Sequence, residues 1–123
     1  MNRRVGPKTS TNDLVRLFEE AALGQWLASI DNNTAKHKRL YHRIEAIVAE
    51  LKSRTPDQRI ALAPLLDHEN WEVKVATAVY LVPVDRDRAI RALKAIEDAH
   101  VGGASNRAYT ALLCLSTGEW KPT

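Results

Sequence analysis

Ala61-Leu62-Ala63-Pro64-Leu65-Leu66-Asp67, the turn His68-Glu69-Asn70, and Trp71-Glu72-Val73-Lys74-Val75-Ala76-Thr77-Ala78-Val79-Tyr80-Leu81 decide how the rest of the chain is read. The first piece places Ile60, Leu62, Leu65 and Leu66 at helical spacing behind Thr55-Pro56-Asp57-Gln58. There Thr55 is expected to cap, Pro56 to take the first helical position and Gln58 to reach back to the cap. Pro64 should bend this helix, because one amide is missing and the ring presses on the preceding turn. Asn70 suits the cap of a second helix, about Trp71 to Leu81, which is apolar almost all round and so expected to be covered on more than one side.

The same period continues outward in both directions. Leu14, Leu17, Phe18, Ala21, Ala22 and Trp26 form one stripe of a helix over about 12–30, with Ser10 and Asp13 at capping-box spacing. After Asp31-Asn32-Asn33, a second helix over about 34–53 is expected to bury Leu40, Tyr41, Ile44, Ile47, Val48 and Leu51. Downstream, Val82-Pro83 ends the fourth helix, since a residue before proline avoids the helical region. Ala89, Ile90, Leu93 and Ile96 define a fifth helix over 86–99. Ala108, Ala111, Leu112 and Leu115 define a sixth over 104–117, closed by Gly118. The expectation is an all-α chain of about six helices in three antiparallel hairpins.

Composition agrees. The chain has 123 residues, of which 17 Ala and 14 Leu make about a quarter, and only 5 Gly and 5 Pro. That excludes collagen-like, disordered and disulfide-scaffold classes and disfavours a turn-rich β-sandwich. With one cysteine, Cys114, no intrachain disulfide is possible, and its leucine neighbours suggest an inert helix residue. Residues 1–11 are basic without a following apolar run, which reads as a flexible arm rather than an export signal. The expected setting is cytoplasmic. The net charge of +3 is too small to imply nucleic acid by itself. Residues 12–118 are expected to form a single domain and 119–123 a short tail.

The last two hairpins look like copies of one unit. Asp57, Ile60, Ala63 and Leu66 match Asp87, Ile90, Leu93 and Ile96 at an offset of 30, and Lys74, Thr77 and Ala78 match Arg107, Thr110 and Ala111 at an offset of 33. A proline in the first helix, an Asp in the turn (Asp67), then Val73-Lys74 and Ala76 resemble a HEAT/armadillo-type helical repeat, with Lys74 where that pattern has Arg. The resemblance covers 56–81 well and 86–117 fairly. The second copy lacks the proline, and a unit of about 30 residues is shorter than the usual ~40–47. It implies a right-handed α-α superhelix, with 12–53 as an N-terminal capping hairpin and the second helices on the concave face. It also implies that Lys74 and Arg107 bond the turn carboxylates Asp67 and Asp98. The chain further resembles small bacterial domain-of-unknown-function proteins with this fold, which implies no activity.

Five residues stand out as a candidate binding surface: Arg39, Arg43, Trp71, Lys74 and Arg107. Arg39 and Arg43, with Lys36 and Lys38 and interleaved His37 and His42, form the densest basic cluster. Such a cluster grips phosphates or is simply a solvated helix face, and with no aromatic except the core-side Tyr41 the latter is preferred. Trp71 at a helix start is either a partner anchor or a lid over the core. Metal ligation has poor support: His37 and His42 lie about 140° apart on a helix, and His68-Glu69-Asn70-Trp71-Glu72 is one His short of a zincin pattern. No nucleophile elbow, P-loop or dinucleotide fingerprint is present. No catalytic residue, metal or cofactor is therefore expected. The reading is a non-catalytic protein-interaction module using the concave face, an immunity-type or regulatory protein being one form of it. The alternative is nucleic-acid binding through the basic face of helix two. The partner is unidentified, and the oligomeric state is not legible.

Overall fold

The computed structural model describes residues 4–123, so Met1, Asn2 and Arg3 of the expected arm lie outside the described residues. Helices α1 (Thr11–Ile30) and α2 (Thr34–Ser53) are followed by a 3-10 segment (Gln58–Asp67) and by α3 (Trp71–Leu81), α4 (Arg86–Asp98) and α5 (Gly103–Thr117). These are six helical elements, and the described residues contain no strand. Two compact units divide the chain between Ala61 and Leu62.

The first unit is built on the α1–α2 hairpin. Ser10 opens α1 by accepting from the Asp13 amide at 3.1 Å, and Asn33 opens α2 by accepting from Lys36 N at 3.1 Å. Between them Asn32 adopts φ 55°, Asn32 N donates to Ser29 O at 3.2 Å, and Asn33 N donates to Ala28 O at 2.8 Å. This is a Schellman ending with asparagine in the left-handed position that glycine usually holds. Leu14, Leu17, Phe18, Ala21, Ala22 and Ala28 of α1 and Ile44, Ile47, Val48 and Leu51 of α2 are buried. Two residues expected inside lie outside. Trp26 is 38% exposed, because it sits about 120° around the helix from Leu14. Tyr41 is 46% exposed, its hydroxyl donating to Glu45 at 2.7 Å so that the ring lies on the surface.

Residues 4–9 form a hydrogen-bonded turn ahead of α1. Thr9 N donates to Gly6 O at 3.0 Å, Gly6 N donates to Thr9 Oγ1 at 3.2 Å, and Thr9 Oγ1 donates to Arg4 O at 3.1 Å. Arg54, just past α2, clasps this turn: Nη2 donates to Thr9 O at 2.5 Å and Nη1 to Thr11 Oγ1 at 3.3 Å, with Nε held by Glu50 at 3.1 Å.

The expected third α-helix is instead a 3-10 segment. The Thr55–Pro56 peptide is cis, Pro56 does not begin the helix, and Gln58 Oε1 accepts from Thr11 Oγ1 and Arg54 Nη1 instead of capping. Pro64 has no amide for an α-type bond, and its ring would press on the carbonyl four residues back, so the segment winds at about three residues per turn. Arg59, Leu62 and Ala63 are buried, while Ile60 is turned out to 44% exposure. Asp57 holds the buried Arg59 guanidinium, with Nε 3.1 Å from both carboxylate oxygens and Nη2 2.7 Å from Oδ2.

In the second unit α4 packs against both α3 and α5, and α3 also touches α5. Val73, Val75, Thr77, Ala78 and Leu81 of α3, Ala89, Leu93 and Ile96 of α4, and Ala104, Ser105 and Ala108 of α5 are buried. Val82 takes the helical conformation after all (φ −51°, ψ −45°); α3 stops because Pro83 has no amide to continue it. His100 enters the left-handed region at φ 51° to end α4. There the Ser105 hydroxyl accepts from Val101 N at 2.7 Å and donates to Ile96 O at 2.6 Å, tying the start of α5 to the end of α4. Gly118 closes α5 at φ 79°, and Trp120 N donates to Cys114 O at 3.1 Å, which turns the tail back.

Candidate functional site

Two surfaces carry the residues singled out in the sequence, one in each unit. In the first unit a cavity of about 980 Å3 runs along the α1–α2 hairpin. From α1 it takes Leu17, Glu20, Ala21 and Gly24, one stripe at i, i+3, i+4 and i+7; from α2 it takes Lys36, Arg39, Leu40 and Arg43 at the same spacing, with His42 and Ala46. Arg4 and Val5 complete the lining. At Gly24 the helices approach so closely that an added Cβ would stand 2.8 Å from Leu40 Cδ1.

Four cations of this lining face a single carboxylate, Glu20. Arg4, Lys36 and Arg39 form no ion pair among the described residues. Arg39 and Arg43, one turn apart, repel each other mildly. Tyr41 contributes nothing to the cavity wall. Its hydroxyl is engaged by Glu45, a hydrogen bond that pushes its pKa above the ordinary tyrosine value, and its ring stands edge-on to His42 with centroids 5.5 Å apart.

In the second unit the start of α3 meets the start of α5. Asn70 caps α3 by accepting from Glu72 N at 2.8 Å and Val73 N at 3.3 Å, and the Asn70 amide donates to His68 Nδ1 at 2.9 Å. Trp71 emerges at 36% exposure with Lys74 Nζ 4.4 Å from its ring centroid. Arg107 forms an ion pair with Glu72, and Gly103 leaves space next to the same carboxylate. The expected bonds from Lys74 and Arg107 to Asp67 and Asp98 are not made. Trp71 stands three residues before Lys74 on the same helix face and takes its ammonium, and Arg107, in the opening turns of α5, meets Glu72 first.

The structure thus gathers Trp71, Lys74 and Arg107 around one helix start and puts Arg39 and Arg43 in the wall of a cavity in the other unit. Glu72, Glu20, Arg4 and the Gly24 approach were not singled out from sequence. The one available signal was the run of small residues Ala21 and Gly24 on the inner stripe of α1. Among the described residues, no group of three or more His, Cys, Asp or Glu side chains is placed to hold a metal ion, and no helix is long and apolar enough to cross a membrane.

Comparison with known proteins adds kinship without an activity. No curated protein matches the chain. Among solved structures it is similar to that of the protein RPA1889 from Rhodopseudomonas palustris CGA009, at 30% identity and a TM-score of 0.94, over 99% of this chain and 100% of that one. Residues 12–116, spanning nearly all of α1 through α5, match the family described as Domain of unknown function (DUF2019), and the chain belongs to that family.

Proposed function

We propose that this chain is a non-catalytic protein-interaction module whose partner docks on the second unit around Trp71, Lys74 and Arg107. The observation that carries the reading is the exposed Trp71 ring held under the Lys74 ammonium beside the Glu72–Arg107 pair. Tryptophan and arginine dominate binding energy at protein interfaces, and a ring already fixed by a neighbour loses little freedom on docking. The HEAT/armadillo-type reading belongs to the same proposal. Its support is the pair Thr77 and Thr110, 33 residues apart, which donate to the equivalent carbonyls of Val73 at 2.8 Å and Asn106 at 3.0 Å. Against it stands the 3-10 winding of residues 58–67 where α4 is regular. A cytoplasmic setting accompanies the proposal.

The test is affinity capture with wild-type and Trp71→Ala protein, followed by reconstitution with the purified captured partner. Trp71→Ala should weaken that complex by about 2 kcal/mol or more while far-ultraviolet circular dichroism is unchanged. Equal affinity would remove Trp71 from the interface. Nucleic-acid contact through Arg39 and Arg43 is the second reading. It draws on the cations of the α2 face but has weaker support, because the neighbouring aromatic, Tyr41, is bonded to a carboxylate that would face the phosphates.

A further inference from the structure

We propose that the cavity between α1 and α2 binds a compact polyanion, a nucleotide-sized phosphate ester, independently of the surface around Trp71. The argument starts from charge. The chain carries 18 Lys and Arg against 15 Asp and Glu, a surplus of +3, and the cavity lining alone holds Arg4, Lys36, Arg39 and Arg43 against Glu20. Because Arg4, Lys36 and Arg39 have no ion-pair partner among the described residues, their field is not spent within the fold. Cations concentrated in a concave wall focus potential and attract a multiply charged anion far more than the same charges spread over a convex surface.

Shape then narrows the ligand. About 980 Å3 lies at the upper end of the ~300–1,000 Å3 typical of small-molecule sites. Lys36, Arg39 and Arg43 are spaced along about 10 Å of helix, a row suited to successive phosphate groups. On the same helix Leu40 and the exposed Ala46 give the cavity wall uncharged surface, against which the neutral part of a phosphate ester would lie. Guanidinium groups bind phosphate oxygens two at a time, so Arg4 and Arg39 supply direction as well as charge. Duplex nucleic acid fits less well. Its phosphates follow a broad convex surface, whereas these side chains line a concave one.

Isothermal titration calorimetry of the full chain with metal-free ATP, inorganic tripolyphosphate and a duplex oligonucleotide tests the proposal. One-to-one saturable binding of ATP or tripolyphosphate is expected, and a preference for ATP would show that the uncharged surface contributes. Arg39→Gln should weaken binding at least tenfold. Ala46→Leu, which adds bulk at an exposed position of the lining and alters no charge, should do the same with helicity unchanged. Absence of binding at millimolar concentrations would overturn the proposal. So would binding that Ala46→Leu leaves intact, since the anion would then be held by diffuse surface charge. Tighter binding of the duplex, insensitive to Ala46→Leu, would overturn it in favour of a nucleic-acid face.

Discussion

Asp57 accepts from both the backbone amide and the guanidinium of Arg59, and the side-chain bond, ahead of the opposing effect of burial, holds its pKa below the ordinary carboxylate value. Since the folded-state pKa is the lower one, this pair stabilises fully above the unfolded value near ~3.9 and loses its contribution as pH falls through the folded pKa. Asp57→Asn is expected to be less stable than wild type at neutral pH, with the gap closing in acid; urea midpoints between about pH 7 and 3 measure it. Parallel curves would show that Asp57 titrates as in the unfolded chain. Ser105 is a second single-residue lever, because its buried hydroxyl links Val101 N to Ile96 O. Ser105→Ala leaves both groups without that partner and should cost about 1–3 kcal/mol by chemical denaturation. Neither bond was legible in the sequence. A serine twelve residues past the last leucine of a helix looks like any loop serine until the chain has turned at His100 and brought it back.

At the scale of elements, periodicity located every helix and most of its buried face, because burying a stripe of Leu, Ile and Val is what holds each helix down. It failed where winding departs from about 3.6 residues per turn. Residues 58–67 carry a helical pattern, yet Pro64 blocks the α-type bond and turns Ile60 outward. If the proline sets this winding, Pro64→Ala should deepen the circular dichroism minimum at ~222 nm as the segment gains α-type bonds. An unchanged spectrum would assign the 3-10 geometry to packing. Tyr41 and Trp26 mark the other limit of the method. Both stand at the margin of an apolar arc, where a hydrogen-bonding tip or a few tens of degrees decides between core and surface.

Over the whole molecule, the balance of charge was legible as a total and not as a distribution. Arg39 and Arg43 were visible as a basic run on a helix. That they wall a recess depends on Gly24 letting α1 approach Leu40 and on Arg4 joining the lining from ahead of α1, neither of which leaves a local signature. Surplus charge that serves binding does not serve folding, since it adds self-repulsion to the compact state. Arg39→Gln is therefore expected to alter stability by no more than about 0.5 kcal/mol in either direction, measured by urea midpoint at low salt. A loss well beyond that would make Arg39 a structural residue. Trp71, Lys74 and Arg107 were legible as residues of interest, but their expected acidic partners were not: repeat analogy pointed to the turn carboxylates, and the actual arrangement is a Trp–Lys stack and a Glu72–Arg107 pair.

The clasp that Arg54 places on Thr9 has a practical result for anyone handling this protein. Arg4 and Val5, just ahead of that turn, belong to the lining of the recess, so a purification handle fused upstream would begin close to it. A polyhistidine leader there would present imidazoles to the very anions being titrated, and it should be cut away before any affinity is measured.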